Sequence, residues 1–244
     1  MIIWGVNPVL EALRAGRVAR VRASQRDDRR VREILALARR LGVAIERVDR
    51  SALDRDSGPG PHQGVVAELR EMPEYAVIDL VRAAAGTPLI VVLDGIEDPH
   101  NVGAILRTVD AAGADGVVRQ KRHAAPLGGA AAKASAGAMA HARIADVVNI
   151  ARALEELKKA GVWAVGLAGD AETPYTEVDL RLPTAFVLGA EGTGLRKLVR
   201  ERCDVVASIP MRGRVASLNV SVAAGIVLFE AVRQRESGRT GAAR

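Results

Sequence analysis

The feature of the sequence that most restricts its fold is an uninterrupted apolar run at residues 89–93. Such a run, ended by Asp94, is typical of a parallel strand that helices cover on both faces. Similar short runs follow at residues 116–118, 163–167, 185–188 and 205–209. Helical spacing of apolar residues predicts helices between them, at residues 102–112, 150–160, 195–202 and 218–235. The alternation predicts an α/β fold with a doubly wound parallel sheet.

The first 70 residues repeat this alternation on a smaller scale. Strands are predicted at residues 18–23, 43–48 and 64–69, and a helix at residues 29–41. One face of that helix is apolar, with Val31, Ile34, Leu35, Ala38 and Leu41, whereas arginines occupy the other face. We therefore predict a small α/β domain over residues 1–70, a linker over 71–86, the larger domain over 87–236 and a flexible tail over 237–244.

The positive charge of the chain is concentrated in the predicted small domain. The whole sequence has a formal charge of +6, and residues 1–70, with 14 Arg, no Lys and 9 acidic residues, carry +5 of it. Arginine makes bidentate contacts with phosphate, which favours a polyanion such as RNA as the partner. An arginine-rich composition with ordinary surface charge would give the same count. Aromatic residues make up 2% of the chain, which argues against a domain that stacks bases on a sheet.

Membrane and metal signals are both missing from the sequence. No segment reaches the roughly 18 apolar residues of a membrane helix, and the first residues lack the pattern of a signal peptide, so we expect a cytoplasmic protein. The single cysteine, Cys203, has no partner for a disulfide and none at the spacing of zinc ligands, so no metal site is predicted. We interpret Cys203 as a small buried apolar residue rather than a nucleophile.

Loops that follow the predicted strands are the expected place for a site, because open parallel sheets bind ligands at the carboxyl ends of their strands. The first loop leads from Asp94 into a helix whose apolar stripe leaves Arg107 on another face. Arg107 is therefore either free to point at a site or an ordinary surface residue. Asn101, near the start of this helix, is either a site residue or the N-cap.

Two later junctions carry further candidate residues. The first is the glycine-rich turn at residues 189–194, where glycine lets the backbone approach a ligand and Glu191 is either a site residue or a surface turn residue. Its glycines follow the order GxxGxG rather than GxGxxG, which argues against a Rossmann dinucleotide site. The second junction places Ser217 and Asn219 at the start of the last long helix, where capping is the simpler interpretation.

Three segments together resemble those of a known family. They are DGIEDPHNVGAILR from residue 94, LGAEGTGL from residue 188 and IPMRGRVASLNVSVAAGIVLFEA from residue 209. Over about residues 86–236 the chain thus resembles the SpoU or TrmH branch of the SPOUT class of RNA methyltransferases. The opening IIWGVNPVLEAL and the later HQGVVA resemble the substrate-binding domain that precedes the catalytic domain in the type that modifies a guanosine of 23S rRNA.

The resemblance implies a deep trefoil knot and an obligate homodimer with the active site beside the dimer interface. It implies S-adenosylmethionine as the cofactor, bent within the knot. The residues expected to contact the cofactor are Gly189, Gly192, Ile209, Met211 and Leu218. The residues that match the active-site positions of the branch are Asn101, Arg107, Glu191, Ser217 and Asn219.

Some positions depart from the pattern of the branch. Arg119 and Gln120 replace the more usual apolar residue and proline after the second strand of the larger domain. Ala140 stands where an acidic residue is common. These departures lie in a loop and a helix that flank the expected site, so they bear on substrate detail rather than on the reaction.

Methyl transfer to a ribose requires stabilisation of the charge that develops on the 2'-oxygen. The guanidinium of Arg107 is permanently protonated, so we assign it electrostatic stabilisation or phosphate orientation and leave the proton acceptor open. Glu191 is expected to hold Arg107 or the ribose, and Asn219 and Ser217 to shape the pocket.

The predicted function is S-adenosylmethionine-dependent 2'-O-methylation of a ribose in structured RNA, with a guanosine of 23S rRNA as the favoured target. A tRNA ribose is the alternative substrate, although tRNA enzymes of this branch usually lack the leading domain. Two other classes are a catalytically silent RNA-binding or ribosome-assembly protein and a nucleotide-dependent enzyme of Rossmann type. The presence of Arg107, Glu191 and Asn219 argues against the first, and the glycine order argues against the second.

Overall fold

The computed structural model describes residues 1–25, 28–58, 60–71 and 73–241, which divide into two compact units. The first unit contains Met1–Pro73, Val102–Arg107 and Pro126–His141. The second contains Glu74–Asn101, Thr108–Ala125 and Ala142–Arg244.

A four-stranded mixed sheet forms the centre of the first unit. Its elements are β1 (Ile2–Trp4), α1 (Val6–Arg14), β2 (Val18–Ser24), α2 (Arg29–Arg40), β3 (Ala44–Val48), α3 (Arg50–Ser57) and β4 (Val65–Leu69). The strand order is β1-β4-β2-β3, with β4 antiparallel to both neighbours and β2 parallel to β3. This arrangement confirms the small α/β fold predicted for the first segment.

Helix α2 has the amphipathic structure that its sequence predicts. The carboxylate of Asp28 accepts a hydrogen bond from the Val31 amide at 3.0 Å and caps the helix. The apolar face from Val31 to Ala38 is buried, and the arginines on the other face are exposed. Leu41 was predicted to share the buried face, but it is 47% exposed because the helix ends at Arg40 and Leu41 is its C-cap.

Several elements of the first unit were not predicted. β1 is only three residues long, and α3 is a short helix of eight residues. α1 was missed although Val6, Val9 and Leu13 have helical spacing and are buried. α3 extends to Ser57, and Pro59 lies outside the described residues. A further helix, α6 (Gly129–Ala134), and a 3-10 helix (Ala138–Ala140) also belong to this unit.

The second unit is built on a parallel sheet of seven strands within the described residues. Its strands are β5 (Leu89–Asp94), β6 (Gly116–Gln120), β7 (Ile144–Val147), β8 (Trp163–Leu167), β9 (Thr173–Pro174), β10 (Thr184–Gly189) and β11 (Val205–Ser208). The strand order is β7-β6-β5-β10-β8-β11-β9, and every pairing is parallel. The predicted parallel-sheet architecture is therefore confirmed.

The four helices predicted after strands of this sheet are all present: α5 (Pro99–Ala111), which spans both units, α7 (Ile150–Lys159), α8 (Lys197–Arg202) and α9 (Val220–Gly241). A further helix, α4 (Val77–Arg82), precedes β5, and a 3-10 helix forms at Tyr175–Glu177. One face of the sheet packs on α4, α7 and α8, which bury alternate residues such as Ile90 and Val92 of β5. The intervening Val91 is also fully buried, so β5 is covered on both faces.

The ends of α7 and α9 are defined by the structure. The side chain of Asn149 accepts from the Arg152 amide at 3.1 Å and caps α7. The C-cap of α7 is Ala160, and Gly161 follows it with a φ of 78°. α9 runs past the predicted end at residue 235 to Gly241, so part of the predicted tail is helical. Residues 242–244 of that tail lie outside the described residues.

The side chain of Arg235 anchors the C-terminal part of α9 to the rest of its unit. Its guanidinium donates hydrogen bonds to the carbonyl oxygens of Thr87, Pro88, Leu180 and Leu182 at distances between 2.8 and 3.1 Å. These contacts hold the helix against loops at the amino ends of β5 and β10. Burial lowers the pKa of this guanidinium.

Among the described residues, no helix is long and apolar enough to cross a membrane.

Candidate active site

The sheet of the second unit reverses its direction of growth between β5 and β10. β6 and β7 lie beyond β5 on one side, whereas β8, β11 and β9 lie beyond β10 on the other. Open α/β sheets bind ligands in the crevice outside the carboxyl ends of the strands at such a point. Asp94 and Gly189, the last residues of β5 and β10, are paired there. The loops after these two strands carry several of the predicted site residues.

Asn101 lies inside α5 rather than at its cap. The N-cap is Asp98, whose carboxylate accepts from the His100 amide at 2.9 Å. The alternative that Asn101 caps the helix is therefore wrong. Asn101 is 7% exposed, and its Oδ1 accepts a hydrogen bond from Nδ2 of Asn219 at 2.9 Å. A buried amide of this kind needs a partner, and Asn219 provides it.

Asn219 combines the two roles that its sequence position left open. Its Oδ1 accepts from the amide of Ser221 at 2.9 Å and from the Ser221 hydroxyl at 2.6 Å, so it caps the start of α9. Its Nδ2 donates to Asn101 and also to Oε1 of Glu191 at 2.7 Å. Asn101, Glu191 and Asn219, which we call the Asn219 cluster, thus join residues from three separate sequence motifs.

The loop at residues 190–195, which carries Glu191, folds tightly back on itself. The Gly194 amide donates to the Ala190 carbonyl at 2.9 Å, and Gly192 and Gly194 have φ values of 81° and 66°. A Cβ at position 189 would lie 2.2 Å from the carbonyl carbon of Gly194, so only glycine fits there. No described atom lies within 4 Å of a Cβ built on Gly192, so the outer side of the loop is open to a ligand.

The segment at residues 210–218 lies between β11 and α9 and is mostly exposed. It forms no hydrogen bond within the described part of the chain. Met211 and Leu218 are half-buried, as is Ile209 just before the segment. The backbone groups of this segment are therefore free to bond a ligand, and the three half-buried side chains offer an apolar surface, a combination that fits the adenine ring and polar edge of S-adenosylmethionine.

Two predicted site residues stay outside the Asn219 cluster. Ser217 is exposed and makes no hydrogen bond among the described residues. Arg107 is exposed on α5, away from the buried stripe of Val102, Ile105, Leu106 and Val109. It makes no ion pair within the described ranges. Its guanidinium is thus available to a ligand.

An ion pair between the buried Asp94 carboxylate and the partly exposed Arg196 was not predicted. The Asp94 side chain is fully buried, and both its oxygens accept from Arg196: Oδ2 from the amide at 2.9 Å and Oδ1 from Nε at 2.7 Å. Nη2 of Arg196 also donates to Oε1 of Gln120 at 3.0 Å. The sequence does show a carboxylate at the end of a buried apolar run, which indicates that Asp94 needs a partner. That partner could not be identified from the sequence, because it lies 102 residues away.

The residues that depart from the family pattern have structural partners. Gln120 accepts a hydrogen bond from Arg196. Nε of Arg119 donates to Oδ1 of Asp146 at 2.6 Å, and its Nη1 donates to the Ala125 carbonyl at 2.5 Å. The Arg119 side chain is therefore occupied in holding the loop after β6. Ala140 ends a 3-10 helix of the first unit.

Cys203 behaves as a packing residue. It is partly buried against the core of the second unit, and its thiol donates to the Val199 carbonyl at 3.3 Å. A Cβ at Gly166 would lie 2.8 Å from its Sγ, so glycine in β8 makes room for the sulfur. Burial, with the nearby Asp204 and Asp94 carboxylates, raises the pKa of the thiol to about 12. Cys203 is therefore not an activated nucleophile.

Comparisons with known proteins match nearly the whole chain. Residues 88–229 match the SpoU rRNA Methylase family, and residues 2–75 match the domain described as RNA 2'-O ribose methyltransferase substrate binding. A Xylella fastidiosa protein named 23S rRNA (guanosine-2'-O-)-methyltransferase RlmB is 46% identical over 240 residues, which cover 96% of each chain. A Pseudomonas syringae protein of the same name is 45% identical over 244 residues and 97% of each chain.

Solved structures show the same similarity. The chain is similar to the SpoU methyltransferase AviRb of Streptomyces viridochromogenes in complex with the cofactor AdoMet, with a TM-score of 0.81 and 28% identity. The match covers 97% of this chain and 91% of the AviRb chain.

Proposed function

Because this chain belongs to the SpoU rRNA methylase family, we propose that it transfers the methyl group of S-adenosylmethionine to the 2'-hydroxyl of a ribose in RNA. The observation that carries the proposal is the Asn219 cluster. It holds the starts of α5 and α9 and the 190–195 loop together at the switch point of the sheet. The AdoMet complex of AviRb supports the choice of cofactor.

We assign cofactor binding to two segments that fit it. The open side of the 190–195 loop, with Gly189 and Gly192, and the unpaired backbone of the 210–218 segment would hold S-adenosylmethionine. Ile209, Met211 and Leu218 would pack on its apolar surface. When bound, the cofactor supplies an electrophilic methyl group.

The remaining site residues act on the nucleotide. Arg107 stabilises charge developing on the 2'-oxygen or orients a neighbouring phosphate, because its guanidinium is always protonated and is free of ion pairs among the described residues. Glu191 and Asn101 fix the orientation of the Asn219 amide, whose Nδ2 donates to both of them. Ser217 is assigned to the edge of the site on its sequence match alone.

We propose a guanosine of 23S rRNA as the substrate. The names of the relatives that match almost the full chain support it. The match of residues 2–75 to a substrate-binding domain and the exposed arginines of α2 support RNA binding by the first segment. We keep residues 1–70, 71–86 and 87–236 as the boundaries of the RNA-binding domain, linker and methyltransferase domain. The trefoil knot, the homodimer and action in the cytoplasm remain proposals.

The direct test is to map 2'-O-methylated nucleotides in rRNA and tRNA from cells with and without the gene. One guanosine of 23S rRNA should lose its methyl group in the deletion strain and regain it with the gene restored. Loss of a tRNA methyl group instead would assign the enzyme to tRNA. Unchanged methylation of all RNAs, with no binding of S-adenosylmethionine to the purified protein, would favour the silent RNA-binding alternative.

A further inference from the structure

The buried carboxylate of Asp94 needs an explanation beyond the fold. A fully buried carboxylate at the end of a central strand is costly unless it is paired and hydrogen-bonded. Arg196 provides both, because its backbone amide and Nε donate to the two Asp94 oxygens and its Nη2 is in ion-pair contact with Oδ1. Such charge-assisted contacts from one residue fix both the backbone and the side chain of that residue.

The pair links the ends of three neighbouring strands. Asp94 ends β5, and Arg196 lies at the end of the loop that leaves β10. The outer side of the same guanidinium reaches Gln120, the last residue of β6. β6, β5 and β10 are consecutive in the sheet. Arg196 therefore connects the β10 loop to the two strands beyond it.

The loop between these fixed points is the 190–195 loop. Its first end is held by Gly189, which is paired with Asp94 in the sheet. Its second end is held by the Arg196 amide on the same Asp94 side chain. One residue of β5 thus determines the span of a loop that carries Glu191, which in turn accepts from Asn219.

We propose that Asp94 and Arg196 form a positioning pair that sets the shape of the 190–195 loop for cofactor binding. Neither residue contacts the reactants in this assignment. Gln120 supports the pair by holding the outer edge of the guanidinium. The inference rests on the proposed function, since it takes S-adenosylmethionine to be the ligand of the loop.

A matched ion pair close to the same helix provides the control. Arg200 of α8 donates to the Asp170 carboxylate at 2.8 and 3.0 Å, and this pair is exposed. Exposed pairs contribute little to stability or geometry. Arg200→Met therefore removes an arginine–carboxylate pair four residues away without touching the loop.

The central variant is the double substitution Asp94→Asn with Arg196→Met in the full-length protein. It removes the buried charge together with its partner, so no unpaired charge is left in the core, and the new amide oxygen still accepts from the backbone N–H at position 196. Isothermal titration with S-adenosylmethionine, well below the unfolding temperature, measures the dissociation constant. We expect it to rise at least about 10-fold in the double variant and to stay within about 2-fold of wild type in Arg200→Met.

Conservative replacement separates positioning from stability. Arg196→Lys keeps a cation and the backbone amide but not the planar guanidinium that reaches both Asp94 and Gln120, so it should recover only part of the cofactor affinity that Arg196→Met loses. Gln120→Ala should give a smaller loss than Arg196→Met. A folded double variant that binds S-adenosylmethionine as tightly as wild type would overturn the positioning role. Wild-type protein that binds no S-adenosylmethionine would instead contradict the proposed function itself.

Discussion

At the scale of single residues, Asn219 shows why capping and catalytic assignments need not compete. The oxygen of its amide caps α9, and the nitrogen donates to Asn101 and Glu191. A serine or aspartate would cap the helix equally well, but neither has an NH2 group with two N–H donors. Only an asparagine at position 219 can therefore cap α9 and also donate to both Asn101 and Glu191.

Arg107→Ala should lower methyl transfer by at least about 100-fold, because the variant loses a cation directed at developing negative charge. The fold and the affinity for S-adenosylmethionine should be retained, since Arg107 is exposed and makes no ion pair among the described residues. Single-turnover methylation of a 23S rRNA fragment measures the effect. Arg152→Ala, at an exposed arginine of α7, is the control. Near-normal turnover of Arg107→Ala would remove its assigned role.

The raised pKa of Cys203 predicts a specific alkaline instability. The folded protein holds the thiol neutral up to a pKa of about 12, whereas the ordinary pKa of the thiol is 9.0. The unfolded chain therefore loses this proton first, so the stabilising contribution is complete below pH 9 and is lost as the pH rises towards 12. Denaturant titrations at a series of pH values should show a steeper alkaline decline for wild type than for Cys203→Ala. Parallel curves would contradict the shift.

Much of the candidate site could be predicted from the sequence, but the contacts that support it could not. Three sequence motifs predicted Asn101, Glu191 and Asn219 as site residues, and the structure places them in one hydrogen-bonded cluster. The Asp94–Arg196 pair was missed because pairing between distant residues depends on strand order. The sequence pattern left the position of β10 between β5 and β8 undetermined.

At the scale of elements, the cap of α7 allows a direct test of local stability. Asn149→Ala removes the acceptor for the Arg152 amide and should lower the free energy of unfolding by about 1 kcal/mol. Asn149→Asp keeps the acceptor and should cost much less. Urea unfolding of the two variants and wild type measures the difference. Equal losses in both variants would show that the cap contributes little.

The cationic face of α2 should bind RNA phosphates. Replacing Arg32, Arg39 and Arg40 together by alanine should weaken RNA binding and reduce the slope of log affinity against log salt by about 1 for each phosphate that is no longer bound. The matched variant with three lysines keeps the charge and should keep most of the slope. Binding of S-adenosylmethionine should not change in either. An unchanged salt slope in the alanine variant would place the RNA-binding surface elsewhere.

The long apolar strands and most of the amphipathic helices were predicted well, whereas α1 and several short or small-residue elements were not. The continuous apolar runs became β5, β8, β10 and β11 within one or two residues of their predicted bounds. α6 was missed because its sequence is mostly alanine and glycine, which gives no polar and apolar faces to compare. β7 was missed because Asp146 interrupts its four residues, so they form no continuous apolar run.

At the scale of the whole molecule, α9 presents an apolar face that its own unit does not cover. Val227 and Leu228 are buried, whereas Val222 and Phe229 remain 50% and 49% exposed. A face of this kind favours a second copy of the chain as its partner, as the family resemblance implies. If the helix packed wholly within its own domain, the exposure of these two side chains would be unexplained.

Light scattering on the purified protein should give twice the chain mass, and specific activity should fall on dilution as the dimer dissociates. Phe229→Glu places a charge on the exposed face without entering the core, so it should yield a folded monomer with little activity. The control is Val148→Glu, at a residue that is 81% exposed in the loop between β7 and α7, and this variant should remain dimeric. A wild-type monomer with undiminished activity at micromolar concentration would refute a site that needs two subunits.

The order of the strands also has a consequence for how the chain reaches its native state. β10 inserts between β5 and β8, so the central pairs of the sheet, such as Leu89 with Thr184, join residues far apart in the sequence. Closing such long loops costs entropy before any stabilising interaction forms, which slows folding of parallel sheets. Until β10 arrives, the inner edges of β5 and β8 are unpaired and apolar, so the newly made chain should depend on dilute conditions or chaperones more than the finished enzyme does.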